Sequence, residues 1–203
     1  MTAQTEINSA LQQFRKLAPS GYFLGLHIRF AAPLMLFQSY PQKWLDHYSQ
    51  NAYALRDPTI AWGFSVTGSC RWSALPIPDP FQIMQAASEH GLRYGLTVSV
   101  GEITSRTIAS FAHDKREFLD DEIAQISTMI RRLHKITEPP ESLTKAQQEA
   151  LRCIAAGDRH AAAAAKLGIT ESAFKARLIS ARERLMARTT AEALQRAKDF
   201  RLL

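Results

Sequence analysis

This 203-residue chain has no long membrane-type run: no uncharged apolar stretch approaches the ~18 residues that a membrane helix needs. A secretory leader is not expected either. Met1 to Lys16 mixes Glu6, Arg15 and Lys16 with scattered apolar residues, where a leader would show a basic start and then an apolar block. Cysteine is scarce. Cys70 and Cys153 stand far apart in no metal-ligand spacing, which is the usage of a reduced, cytoplasmic protein with no metal site. Nine Gly and nine Pro exclude collagen-like and low-complexity character. Catalytic signatures are missing as well: there is no nucleophile elbow, no Gly-rich phosphate loop and no His pair at metal spacing. His113-Asp114 is the only adjacent His/acid pair, and one such pair arises easily by chance. A small-molecule hydrolase is therefore the weakest reading, and no cofactor is expected.

What is present is ordinary globular composition, 46% apolar and 22% charged, at a length that suits one large or two small domains. The formal net charge of +6 is unevenly placed. Residues 1–142 hold 13 basic and 13 acidic side chains, whereas residues 143–203 hold 12 basic and 6 acidic, so the C-terminal part carries the whole excess. A neutral large part joined to a small basic part suggests a sensor or enzyme attached to a polyanion-binding unit. A solvated basic face with no partner is the plain alternative. The break lies in Thr137-Glu138-Pro139-Pro140-Glu141-Ser142, because adjacent prolines cannot continue a helix. This predicts domains at 1–136 and 143–203 with a linker at 137–142.

The first part reads as mixed α and β. Thr5 to Leu17 has helical spacing in Ile7, Leu11 and Phe14. Tyr22 to Phe30 and Leu34 to Phe37 read as a hairpin. Pro41 to Tyr53 and the segment opened by Asp57-Pro58 read as helices. Gly68 to Trp72 reads as a short strand, Asp79-Pro80 opens a helix to about His90, and Leu96 to Val100 and Arg106 to Ala112 alternate as strands. Asp114 to Ile136 is a long amphipathic helix. Its apolar residues exceed the evident need of one small sheet, which predicts a homodimer through this helix.

The second part is all helix. Thr144 to Ala156 stops at Gly157, and Arg159 to Leu167 stops at Gly168. Ser172 to Met186 follows behind Thr170, whose side-chain oxygen suits a helix cap, and Thr190 to Phe200 is the fourth helix. A short helix, a tight Gly-containing turn and a longer basic helix make the helix-turn-helix pattern. Lys175, Arg177 and Arg182 on the longer helix are the expected contacts to double-stranded DNA. A small helical bundle used for protein contacts is the alternative.

Spaced aromatics and one carboxylate carry a more specific signal. Tyr40-Pro41-x-x-Trp44-x-x-x-Tyr48, then Asp57-Pro58, then Trp72, resembles the ligand pocket of LuxR-type quorum-sensing transcription regulators. Gly91-Leu92-Arg93-Tyr94-Gly95-Leu96-Thr97-Val98 is similar to the strand that leads into that pocket's wall. Leu143-Thr144, Leu151, Gly157, Leu167-Gly168-Ile169 and Leu185 follow the framework of the family's C-terminal DNA-binding domain. The resemblance implies an α+β chain. Its N-terminal domain is an α-β-α sandwich around a five-stranded antiparallel sheet and encloses an acyl-homoserine lactone, and a four-helix helix-turn-helix domain follows.

The residue types suit that ligand. Its lactone carbonyl, amide N–H and amide carbonyl would each cost about 1–3 kcal/mol if buried unpaired. The resemblance implies that Trp44, a donor only, serves the lactone carbonyl; that Asp57, an acceptor only, takes the amide N–H; and that Tyr48 donates to the amide carbonyl. Tyr40 and Trp72 supply aromatic walls, Thr59 adds a hydroxyl through water, and Ser110 is a polar contact on the late strand, where the alignment can slip onto Ala112. Phe30, Met35 and Phe37 are lining candidates without a motif match. Taken singly, Trp44 and Trp72 read as core aromatics, Tyr48 as a half-exposed helix residue and Asp57 as a helix cap; the joint spacing favours the pocket.

The chain also departs from the family pattern. Ser99 stands where a proline is usual, and Gln147 where an acid is usual. Ala162-Ala163-Ala164 replaces Glu-Ile-Ala, and Phe174 replaces Val. Small residues at 162–163 beside a larger Phe174 are read as a compensated core swap or as a relaxed DNA-binding unit. A member that does not bind DNA, and that inhibits a related regulator through mixed dimers, is the second reading.

Overall fold

A computed structural model describes residues 3–29, 32–138, 143–200 and 202–203. The chain divides into two compact units, Met1–Thr137 and Glu138–Leu203. Most of the segment read as a linker, and Phe30, lie outside the described residues.

The first unit is built on a five-stranded antiparallel sheet in the order β2-β1-β5-β4-β3. The strands are β1 (Gly21–Arg29), β2 (Ala32–Gln38), β3 (Gly68–Arg71), β4 (Tyr94–Val100) and β5 (Arg106–His113). One sheet face packs on α1 (Ala3–Leu17) and α5 (Asp120–Ile136). Period-2 alternation sends Leu24 and Leu26, Leu96 and Val98, and Ala109 and Phe111 to that side. There they meet Phe14 of α1 and Ile126, Ile130 and Leu133 of α5. The opposite face carries α2 (Gln42–Gln50), α3 (Pro58–Ser65) and α4 (Ile83–Glu89). Trp44, Ile83, Ala87, Leu92 and Ala112 form a second cluster there.

A β-bulge interrupts the β1–β5 register between Gly25 and Ile28. His27 occupies the left-handed region at φ 50°. Leu26 and His27 both face α5, where His27 Nε2 donates to the His134 carbonyl at 2.9 Å, with Thr137 Oγ1 at 3.2 Å, and Nδ1 lies 2.8 Å from Ser105 Oγ. Ile28 therefore returns to the other face. A bulge shifts the parity of a strand, and here it turns an aliphatic side chain toward the α2–α4 side.

Several boundaries differ from the sequence expectations for identifiable reasons. The helix expected from Asp79 begins at Ile83, because Gln82 takes a left-handed conformation (φ 55°) while the Asp79 carboxylate accepts from the Met84 N–H at 2.7 Å. The helix expected from Asp114 begins at Asp120. Glu122 reaches back to accept the Leu119 N–H at 2.8 Å, and Asp120 and Asp121 add negative charge to the same first turn. Met35 and Phe37 were expected to line the pocket; they pair with Leu26 and Leu24 and pack into the α1/α5 core. The apolar stripe of α5 is likewise taken up within the unit. Ile126, Ile130 and Leu133 are buried, and Ile123, Met129 and Ile136 pack against the same cluster. Surplus apolar surface on α5 is thus no argument for a dimer.

The second unit contains α6 (Lys145–Ala155), α7 (His160–Lys166), α8 (Glu171–Arg184) and α9 (Thr190–Asp199). Thr144 and Gln147 form a reciprocal capping box, and the Gln147 amide also donates to Ser180 at 2.9 Å. Thr170 caps α8 by accepting from the Ala173 N–H at 3.1 Å. Phe174 is fully buried in one cluster with Ala163 and Ala164, so the large and small residues do pack together. Ala162 is exposed and takes no part in that exchange.

Candidate functional site

A cavity of about 330 Å³ lies between the sheet and α2, α3 and α4. Tyr40, Trp44, Tyr48, Asp57, Thr59, Trp72 and Ser110 all line it. Residues 70 positions apart in sequence meet because α2, α3, the turn after β3, and β5 all open onto the same sheet face. The rest of the wall is largely apolar, with Phe23, Ile28, Pro33, Ile60, Phe64 and Met84. Leu55 also lines the cavity and is 87% exposed, so the cavity reaches solvent beside it.

The polar end is organised around Asp57. Its backbone caps α3, with Pro58 at the first helical position. One carboxylate oxygen accepts from both the Thr59 N–H and the Thr59 hydroxyl, each at 2.7 Å. The other accepts from the Tyr48 hydroxyl at 2.8 Å. Burial pushes the Asp57 pKa up, and the hydrogen bonds from Thr59 and Tyr48 oppose that shift. The Tyr48 hydroxyl thus donates to Asp57, where the resemblance implied a donor to an amide carbonyl. Thr59 likewise binds Asp57 directly.

Tyr40 carries an uncommitted donor. Its hydroxyl is buried with no hydrogen-bond partner, so Tyr40 is more than an aromatic wall. Burial first, and then the Asp57 charge, raise its pKa well above the ordinary phenol value, so it stays protonated and able to donate. Trp44 is 4% exposed and stands edge-on to Tyr48, with ring centroids 5.5 Å apart.

Trp72 is held from behind by a residue that sequence reasoning missed. Its indole N–H donates to Thr97 Oγ1 at 3.0 Å, and Thr97 in turn lies 3.1 Å from Ser110 Oγ. This chain settles Ser110, not Ala112, as the strand residue that faces the cavity. Gly95 makes room for Trp72: a Cβ there would come within 1.9 Å of the indole Cδ2. The Gly95-x-Thr97 spacing was visible in sequence, but only the β4–β5 register shows which side chains it serves. Ser99, at the position of the usual proline, donates to the Gly63 carbonyl at 2.5 Å and ties α3 to the sheet.

Elsewhere the expected site residues are less free. Lys175 pairs with Glu171 at 2.7 Å, and Arg177 stands 3.6 Å from Glu149. Arg182 is half-buried, with its Nε buried and unpartnered. His113 Nδ1 accepts from the Lys115 N–H in a local turn. Among the described residues no group of side chains could hold a metal, and no helix is long and apolar enough to cross a membrane.

A layered α+β unit with a largely apolar cavity and a buried acceptor in its wall is the architecture of a small-molecule binding domain. The chain belongs to the autoinducer binding domain family, whose model matches residues 6–136. That family is defined by a domain that binds autoinducers, the small signals of quorum sensing. The fold is similar to that of Escherichia coli SdiA, at 21% identity, covering 100% of this chain and 92% of SdiA with a TM-score of 0.55. SdiA has also been solved in complex with octanoyl-rac-glycerol; that match covers 98% of this chain and 89% of SdiA at the same identity and TM-score. CepR2 from Burkholderia cenocepacia, an N-acylhomoserine lactone dependent LuxR family transcription factor, matches at 20% identity over 67% of this chain and 82% of its own, with a TM-score of 0.51. At these identities the likenesses carry the fold alone. No curated protein sequence matches the chain.

Proposed function

We propose that this chain is a cytoplasmic, ligand-responsive transcription regulator. Its first unit takes an acyl-homoserine lactone, or an amphipathic molecule with a similar head group, in the cavity. Its second unit is a helix-turn-helix domain that engages double-stranded DNA when the chain is dimeric. The observation that carries the reading is the polar end of the cavity, where one buried carboxylate, one unpartnered phenol and one indole converge. Asp57 takes the amide N–H, Tyr40 donates to the amide carbonyl, and Trp44 donates to the lactone carbonyl. Tyr48 and Thr59 hold the carboxylate in place, and Trp72, backed by Thr97 and Ser110, walls the chain. An acyl glycerol, the ligand in the SdiA complex, has the same division into a polar head and an apolar tail.

Isothermal titration of the full chain with N-octanoyl-homoserine lactone tests the proposal. Saturable binding that weakens in both Tyr40→Phe and Asp57→Asn is expected. Equal affinity in all three proteins would remove the head-group assignment.

One observation favours the second reading, an inhibitor acting through mixed dimers. Two of the three cations expected to meet DNA are drawn toward acids of their own unit, and the third is half-buried. Absence of DNA affinity at low salt with ligand bound, together with co-purification with a related regulator, would establish that reading instead.

A further inference from the structure

Arg106 begins β5 and is only 7% exposed. Its Nε and Nη1 are buried and have no hydrogen-bond partner. A guanidinium stays charged at every physiological pH, and a buried, uncompensated charge is among the costliest features a fold can carry. Such a group calls for an anion.

The register says where that anion would sit. On β5, Thr107 points to α5, where its hydroxyl meets His134, while Ile108 lies against Gly63 of α3 and Ser110 lines the cavity. Strand alternation therefore places Arg106 on the cavity face with Ile108 and Ser110. Its cross-strand partner is Ile28, whose own partner on β2 is Pro33, and both line the cavity. The bulge at Leu26–His27 is what brings Ile28 to this side. Four strand steps separate Ser110 from Arg106, about 13 Å along the sheet. Arg106 thus lies on the sheet face that carries the cavity, beside the lining residue Ile28 and at the strand end away from Tyr40.

We propose that the cavity is built for a ligand with two polar ends: a head group at Asp57 and Tyr40, and a carboxylate at the far end of its apolar chain, paired with Arg106. This rests on the head-group reading above and narrows its ligand class to ω-carboxylated acyl chains.

The test compares two probes by isothermal titration of the full chain. One is N-decanoyl-homoserine lactone; the other is N-(9-carboxynonanoyl)-homoserine lactone, which carries a terminal carboxylate. Wild type is expected to bind the carboxylated probe at least about tenfold more tightly, a preference that Arg106→Met abolishes or reverses. The ligand-free variant should melt at or above the wild-type temperature, because a methionine removes the unpaired charge and keeps most of the stem. Equal affinity of wild type for the two probes, or a preference for the decanoyl one, would overturn the proposal and leave the head-group reading standing. A clear fall in the melting temperature of ligand-free Arg106→Met would overturn it too, by showing that Arg106 is already compensated. If wild type bound neither probe, the head-group reading would fall and this inference with it. Failure of Arg106→Met to fold would be the extreme of that fall in melting temperature and would overturn the proposal likewise.

Discussion

Asp57→Asn separates the two roles of one side chain. In the folded chain, Oδ1 takes two donors from Thr59 and Oδ2 takes one from Tyr48, with the Ile60 N–H also directed at the carboxylate; in the proposed complex a ligand N–H joins them at Oδ2. An asparagine keeps its carbonyl oxygen on Thr59 and presents an NH2 group where Oδ2 was. That NH2 can donate to the Tyr48 oxygen, and asparagine caps helices as well as aspartate does, so ligand-free stability should change by less than about 1 kcal/mol. A ligand N–H, in contrast, would now meet a donor. The lost interaction is a charge-assisted hydrogen bond, about 1.5–3 kcal/mol, or about 10- to 100-fold in Kd. Titration with N-octanoyl-homoserine lactone reads the affinity, and thermal melting without ligand reads the stability. A Kd within about twofold of wild type would refute the reasoning, since the deleted bond would then be worth nothing. A large fall in stability with proportionate loss of binding would also refute it, by making Asp57 a fold residue alone.

The pH dependence of the same residue has a definite sign. Burial raises the folded pKa of Asp57 above its unfolded value, so its contribution favours the fold below the unfolded pKa and is lost as pH rises through the raised one. Melting of ligand-free wild type relative to Asp57→Asn should therefore worsen from the ordinary carboxylate range upward, while affinity for a ligand N–H improves over that window; the opposite slopes would contradict both. Gly95→Ala should push Trp72 toward the cavity, weaken ligand binding and cost about 1–3 kcal/mol by overpacking, as read by melting and titration. Thr97→Val strips the acceptor from the Trp72 N–H and should destabilise by about 1–3 kcal/mol, with less loss in a Trp72→Phe background; equal losses in both backgrounds would disprove the coupling. Phe174→Ala should cost about 3–5 kcal/mol in the second unit, because the small Ala163 and Ala164 offer nothing to refill the space.

Much of the cavity wall was legible in sequence because the informative residues are local. Trp44 and Tyr48 lie at helical spacing on α2, with Tyr40 just before its cap, and Asp-Pro marks the start of α3. Partner assignments within the wall were not legible. Nothing in the spacing tells whether the Tyr48 proton goes to Asp57 or to a ligand; that depends on the angle between α2 and α3. Thr97 and Gly95 carry no signal until the β4–β5 register places them behind Trp72. Met35 and Phe37 were misplaced because an apolar hairpin has two candidate faces, and the bulge at His27 decides which residues each receives. The starts of α4 and α5 slipped because Asp79 and Glu122 act across the turn, capping helices that begin after the Pro or acidic residue that announces them.

The central claim is that the cavity holds an intact amphipathic ligand by its head group. Its most direct test is mass spectrometry of small molecules extracted from the full-length protein purified out of cells fed N-octanoyl-homoserine lactone. Recovery of the uncleaved acyl lactone in stoichiometric amount from wild type, and its loss from Asp57→Asn, is the expected result. Recovery of free octanoate alone would point to hydrolysis, and an empty extract from folded protein would contradict the sensor reading.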